Sequence, residues 1–189
     1  MAETTTIIKT ERLLIRSAVV DDAPMLYRLW TDPRVMGNVG FPKGLDITLR
    51  EIEEGIREHK PDEVFGKYLI AQRRAGGQVL GECKMMLPDV DGVSRTDVKL
   101  FPECWGHKYG LEIKQALVDY LFRKTDCEAV EGTPNVANIA SIKMQEAVGA
   151  TRVGEDTFYF PESKADFTRP VHHYIYHVTR ATWEARRAK

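Results

Sequence analysis

The stretch Phe101-Pro102-Glu103-Cys104-Trp105-Gly106-His107-Lys108-Tyr109-Gly110-Leu111 decides how this chain is read. The β-branched and apolar run from Val98 to Phe101 stops at Pro102. Gly106 and Gly110 flank a short turn. An amphipathic pattern then begins, with Leu111, Ile113, Leu117, Val118, Leu121 and Phe122 at helical spacing. Strand, glycine-punctuated turn and helix start, in that order, make an anion site. The first N–H groups of a helix have no partner within it, and its dipole favours negative charge there. His107 and Lys108 add positive charge to the same turn. Phosphate or pyrophosphate is the ligand that suits it. By itself such a turn is more often only a turn, so the rest of the chain must decide. Neither a G-x-x-x-x-G-K-[ST] nor a G-x-G-x-x-G pattern occurs, which leaves a P-loop or a dinucleotide fingerprint without support.

Working outward, 189 residues are enough for one domain with its own core. Hydrophobic content of 43% and charged content of 29% are those of an ordinary globular protein. A formal net charge of -1 gives no electrostatic case for nucleic acid or an anionic membrane. Cys83, Cys104 and Cys127 show no C-x-x-C spacing. They argue against a disulfide framework or a structural zinc, and for a reducing compartment such as the cytoplasm. The opening Met1-Ala2-Glu3-Thr4 lacks a basic-then-apolar pattern, so no signal peptide is expected. No run approaches the ~20 apolar residues of a membrane span.

Periodicity predicts a strand at Leu13-Leu14-Ile15-Arg16 and a helix through Met25, Leu26, Leu29 and Trp30. That helix is capped by Asp21 or Asp22 and stopped at Asp32-Pro33. A loop over 37–44 leads to a second helix from Leu49 to about His59, closed by Lys60-Pro61-Asp62. Strands are expected over 67–73 and 79–87, joined at Arg74-Ala75-Gly76-Gly77, and over 95–101. The helix from Gly110 to about Arg123 follows, then a short strand at Ala129-Val130-Glu131-Gly132 and a helix from Asn138 to Val148. Strands over 151–160 and 172–179 and a charged tail, 183–189, end the chain. Hairpins mixed with crossovers predict one mixed α/β sheet with helices on both faces, the Gly110 helix being the crossover between the 95–101 and 129–132 strands.

This order resembles the GNAT superfamily of acyl-CoA-dependent N-acetyltransferases. Thr10-Glu11-Arg12-Leu13-Leu14-Ile15-Arg16, with Asp22 and Asp32-Pro33-Arg34-Val35-Met36 downstream, is similar to the start of its RimJ/RimL-like branch. Pro102 to Gly110 resembles the pyrophosphate loop. Asn135-x-x-Asn138-x-x-Ser141-Ile142-Lys143, leading to Gly149-Ala150, resembles the motif that enters the next helix. The resemblance implies a single GNAT domain with a mostly antiparallel sheet and one splayed parallel strand pair. It implies acetyl-CoA as co-substrate, no metal, and a primary amine as acceptor, either a protein N-terminus or a small molecule. Trp105, Gly106, His107, Lys108, Tyr109 and Gly110 would form the loop, with the backbone N–H groups from His107 to Gly110 on the pyrophosphate. The backbone of Val98 to Leu100 would pair with the pantetheine arm as an added strand does, and a backbone N–H near Leu100 would stabilise the oxyanion. The thioester would lie between the splayed strands carrying Val98 and Val130. Asn138 and Ser141 would hydrogen-bond the cofactor near its thiol, with Ser141 able to protonate the leaving thiolate. Two positions depart from the family pattern. Lys108 stands where glycine is usual, and Gln145 where many members carry a tyrosine acid.

An alkylammonium must lose a proton before it attacks a thioester. Glu131, at a strand end beside the expected splay, is the first candidate base. Asp97, on the opposite sheet face to Val98, is the second, and Glu82 the third. His172, His173 and His177 read as strand histidines without metal. Phe158, Tyr159, Phe160 and Trp105 could line an acceptor pocket, and Phe41-Pro42 is the better acceptor-side candidate. The last strands could pair in a homodimer. Two other readings share the fold: a non-catalytic acyl-CoA sensor, and a module that binds a different anion.

Overall fold

The computed structural model describes residues 4–58 and 63–188. The stop expected at Lys60-Pro61-Asp62 lies outside them. The elements in chain order are β1 (Thr6–Lys9), β2 (Leu13–Ser17), α1 (Ala23–Trp30), α2 (Pro33–Met36), α3 (Leu49–Arg57), β3 (Leu69–Arg73) and β4 (Val79–Met85). They continue with β5 (Val93–Leu100), α4 (Tyr109–Lys124), β6 (Ala129–Gly132), α5 (Ile139–Ala147), β7 (Thr151–Phe158), β8 (Val171–Thr179) and α6 (Arg180–Arg187). Eight strands form one open sheet in the order β1-β2-β3-β4-β5-β6-β8-β7. Every neighbouring pair is antiparallel except β5 and β6. The sheet is therefore the mixed one expected, with its single parallel pair at the crossover through α4.

The core follows from the patterning. In α4, Ile113, Leu117, Val118, Leu121 and Phe122 are buried. In β2, Leu13 and Ile15 point inward at period two, with Ile15 opposite the buried Ala71 of β3. α1 buries Leu26, Leu29 and Trp30 against β4 and α3. Asp32 and Pro33 do end α1, but they also start α2. The Asp32 carboxylate accepts from the Arg34 N–H, and Pro33 fills the first helical position, where its missing donor costs nothing. α3 starts on a capping box between Thr48 and Glu51.

Besides α2, the sequence reading misses β1 and α6 and starts β5 two residues late. β1 is a four-residue edge strand. β5 begins at Val93 rather than Arg95, and those two extra residues supply most of its pairing with β6. The charged tail is the helix α6. Thr179 caps it, Trp183 packs on Phe122 with ring centroids 5.2 Å apart, and the indole N–H donates to Asp119. Arg180, its first residue, donates to the carbonyls of Phe122 (3.0 Å), Thr125 (2.8 Å) and Cys127 (3.0 Å). These carbonyls lie at and just beyond the end of α4, where a helix leaves acceptors without internal partners. None of the described helices is long and apolar enough to cross a membrane.

Charge-assisted bonds to three part-buried carbonyls make Arg180 the main tie between α4 and the end of the chain. Arg180→Ala should lower unfolding stability by about 3 kcal/mol in urea denaturation. A loss below ~1 kcal/mol would mean that water satisfies those carbonyls equally well.

Candidate active site

The site begins at the turn into α4. Lys108 sits in the left-handed region, φ 61° and ψ 15°, and among the described residues it alone does so without being glycine. The carbonyl of Lys108 accepts the first bond of α4, from the Glu112 N–H at 3.2 Å. The loop thus keeps the backbone shape that glycine would give, at a cost of about 1–2 kcal/mol for a side chain in that region. Gly106, φ +80°, opens into free space.

The cost is offset by bracing that the sequence reading misses. The Arg12 side chain donates from Nε to Glu112 Oε2 at 2.6 Å and from Nη1 to the His107 carbonyl at 3.2 Å. Its guanidinium lies over the Tyr109 ring, 4.7 Å from the centroid. Thr10 Oγ1 and the Arg12 N–H both donate to Glu112 Oε1. Burial would raise the Glu112 carboxyl, but these hydrogen bonds outweigh it and hold the group below its ordinary value. The turn between β1 and β2 therefore clamps the loop and the first turn of α4 together.

Next to the loop the sheet opens. β5 and β6 pair only as Val93–Ala129, Ser94–Val130 and Arg95–Glu131. Beyond Arg95 the two strands have no register partners, and the gap is a fork. From the α4 side Lys114 reaches into its apex. The ammonium donates to Thr96 Oγ1 of β5 and to the Glu131 carbonyl of β6, so one side chain bridges both prongs. Lys114 is 1% exposed. Burial pulls its pKa down to about 8, against the opposing attraction of Asp97 and Glu131. Leu111, Lys114, Leu117 and Leu121 follow one helical stripe, so a lysine on an apolar face was the available signal. Farther along the fork, Gly132 lies against the Gln145 carboxamide; a Cβ there would come within 2.4 Å of Oε1. That Oε1 is buried without a hydrogen-bond partner, an acceptor aimed at the fork one turn after Ser141.

The opposite face of the fork, on the α1 side, is charged. Register places Lys84 opposite Asp97 and Glu82 opposite Lys99. Asp97, whose side chain is 47% exposed, pairs with Lys99. Glu82 is buried and accepts from the Trp30 indole N–H at 2.9 Å. Burial raises its carboxyl above the ordinary range, with Lys99 opposing. Lys84 lies 4.3 Å over the Tyr68 ring. Glu131 accepts from Arg95 at 2.9 Å and faces His177 Nε2 at 3.1 Å, so both carboxylate oxygens are engaged.

The other candidates are placed as follows. The Trp105 indole donates to the Leu100 carbonyl at 3.0 Å, which occupies one backbone acceptor of that strand end. Asn138 is the N-cap of α5, its Oδ1 accepting from the Ser141 N–H at 3.1 Å. Phe41, Phe160 and Phe158 pack edge to face in series, with centroid separations of 5.1 Å and 4.9 Å. Asn135, in the turn after β6, donates to the Asn38 carbonyl at 3.2 Å and ties the 37–44 loop to the fork. A 230 Å³ cavity lined by Phe41, Leu45, Asp46, Lys164, Phe167 and Thr168 lies beside that loop. Tyr159 is exposed, and Trp105 sits on the α4 loop, away from the phenylalanines.

A braced anion loop at a helix start beside an open parallel fork defines a class, and comparison agrees. Residues 12–151 match the model of the acetyltransferase (GNAT) domain, and the chain belongs to that family. Membership makes it an N-acetyltransferase. It is 24% identical over 147 residues to an uncharacterised N-acetyltransferase, p20, of Bacillus licheniformis, covering 77% of this chain and 82% of that one. A GNAT acetyltransferase of Bacillus anthracis superposes with a TM-score of 0.73 at 19% identity, over 91% of this chain and 97% of the other. A spermidine N-acetyltransferase of Vibrio cholerae, in complex with CoA and spermine, gives 0.74 at 14% identity, over 93% and 99%.

Lys114 gives the site a pH signature. Its folded pKa of about 8 lies below the ~10.4 of an unfolded lysine, so between these values the unfolded chain binds more protons. Stability should therefore rise with pH across that window by up to about 3 kcal/mol relative to Lys114→Met. Parallel pH dependences of the two proteins in denaturant titrations would show that the lysine is not buried as described.

Proposed function

We propose that this protein transfers acetyl from acetyl-CoA to a primary amine on the α1 side of the fork, without a covalent enzyme intermediate. One observation carries the reading: the β5–β6 fork opens immediately beside a positively charged helix start. The N–H groups from His107 to Gly110 and the Lys108 ammonium suit a pyrophosphate. The backbone of Val98 and the Leu100 N–H, beyond the last β5–β6 pair, suit the pantetheine amides, as does the unpartnered Gln145 Oε1. Pantetheine entering from the α4 side presents its acyl group to the other face of the sheet.

Asp97 is the base we assign. It is the exposed carboxylate at the fork, whereas Glu131 is held by Arg95 and His177 and Glu82 is buried on Trp30. Asp97 takes a proton from the acceptor ammonium. The neutral amine attacks the thioester carbonyl, forming the C–N bond; the nitrogen gives its second proton to water, and the C–S bond then breaks. The Lys114 ammonium at the fork apex stabilises the negative charge that passes from the carbonyl oxygen to sulfur. Ser141, or water, returns a proton to the thiolate.

The opening motif around Thr10 to Arg16 favours the RimJ/RimL-like branch, and a protein N-terminus or small amine as acceptor. Cys83, Cys104 and Cys127 are buried free thiols, which supports a reducing, cytoplasmic setting. The long β7–β8 hairpin leaves β7 as an exposed sheet edge on which a homodimer could form.

Acetyl-CoA at ~100 times its dissociation constant should stabilise the fold by about 2.7 kcal/mol, seen as a rise in melting temperature. The rise should survive Lys108→Gly in weakened, less salt-dependent form, because the loop backbone already has glycine's shape. With an accepted amine, Asp97→Asn should lower kcat by ~10²–10⁴ while the thermal shift persists. Full turnover in Asp97→Asn would move the base elsewhere, and an absent shift would remove the cofactor site.

A further inference from the structure

The α1 face of the fork carries more than a base. Asp97 has Lys99, and Glu131 has Arg95 and His177. Glu82, sealed under Trp30, feels both Lys99 and Lys84. The carboxylates of this face are thus matched by cations. A polycationic acceptor calls for several carboxylates open to its ammonium groups, whereas on this face Asp97 alone is open to solvent, beside its neighbour Lys99.

Lys84 is the exception in the opposite sense. It is half-buried in the middle of the sheet, and among the described residues no carboxylate lies within 4 Å of its ammonium. Its contact is the Tyr68 ring, which compensates a desolvated cation only in part. Burial draws the lysine below its ordinary pKa, with Glu82 and Asp97 opposing and Lys99 assisting. The groups facing it are Tyr68 before β3, Glu82 on its own strand, and Asp97 and Lys99 on β5. An ammonium held this way lacks a carboxylate counter-ion of its own.

Its place on the sheet says which anion. Lys84 and Asp97 are register partners on β4 and β5, so their side chains leave one face side by side. They do not pair with each other; Asp97 turns to Lys99 instead. An α-amino group and its carboxylate are likewise separated by one carbon. Two directly opposed side chains of opposite charge, kept apart, form a receptor for such a zwitterion.

We infer that the acceptor is a primary amine bearing a nearby carboxylate, such as a free α-amino acid, with its ammonium on Asp97 and its carboxylate on Lys84. The inference rests on the acetyl-transfer reading above and specifies its substrate class. Lys84 then selects the acceptor, while Asp97 handles the proton.

The test compares matched acceptors. Thiol release from acetyl-CoA is followed with a set of L-α-amino acids, with the amines lacking only their carboxylates, and with spermidine. Wild type should favour each acid over its matched amine by at least tenfold in kcat/KM, with the difference chiefly in KM. Lys84→Met should bring that ratio to about one, and Lys84→Arg should retain it, which a purely structural lysine would not do. Equal use of acid and amine by wild type, spermidine as the best acceptor, or an unchanged ratio in Lys84→Met would each overturn the inference while leaving acetyl transfer intact. Failure of the underlying reading is distinguishable, because acetyl-CoA would then produce no thermal shift, and the inference would fall with it.

Discussion

The interruption of pairing between β5 and β6 is the constraint on which the rest of this structure depends. Only three residue pairs join the strands before they part. A parted pair of central strands leaves backbone donors and acceptors without partners, which a folded protein does not keep in its interior without a use. Here both prongs are pinned at the apex by Lys114, a charge buried on the apolar face of α4. A buried ammonium costs several kcal/mol before its hydrogen bonds are counted. A leucine at this position would close the stripe and give a tighter core. The lysine instead ties the two prongs together and holds positive charge at the apex.

The second element is the clamp on the α4 start. Lys108 holds a backbone conformation that disfavours side chains, and Arg12, Glu112 and Thr10 hold the loop in that shape. The interactions come from residues about a hundred positions apart in sequence. They explain why the β1–β2 turn, far from any reacting atom, belongs to the same motif set as the loop. Positive charge from Lys108 is added where the helix dipole already favours an anion, so the substitution exchanges backbone ease for electrostatic attraction.

Much of this was legible in the sequence. Period-two and period-3.6 patterns placed the long strands and helices, because their burial is one-sided. Ala129 to Gly132 was found with its exact bounds because apolar residues end abruptly at glycine. β1 was missed because an edge strand of four residues buries little. α6 was missed because its charge density masks a stripe whose single anchor is Trp183. At the site, the loop was readable as a motif and the fork followed from the family resemblance, whereas the pairing of each carboxylate was not readable. Glu131 looked open beside Gly132, but it meets Arg95 across β5 and His177 across β8, partners 36 and 46 residues away. Asp97 and Lys84 become neighbours only through antiparallel register, which local periodicity does not specify.

Acetyl-CoA lying in the fork, with its pyrophosphate on the loop, would cover the backbone of both. Amide hydrogen exchange with and without acetyl-CoA measures this residue by residue. The amides of Val98 to Leu100 and His107 to Gly110 should become protected together, while β1, β7 and α6 stay unchanged. Protection confined to other surfaces, or none at all under saturating ligand, would contradict the central claim.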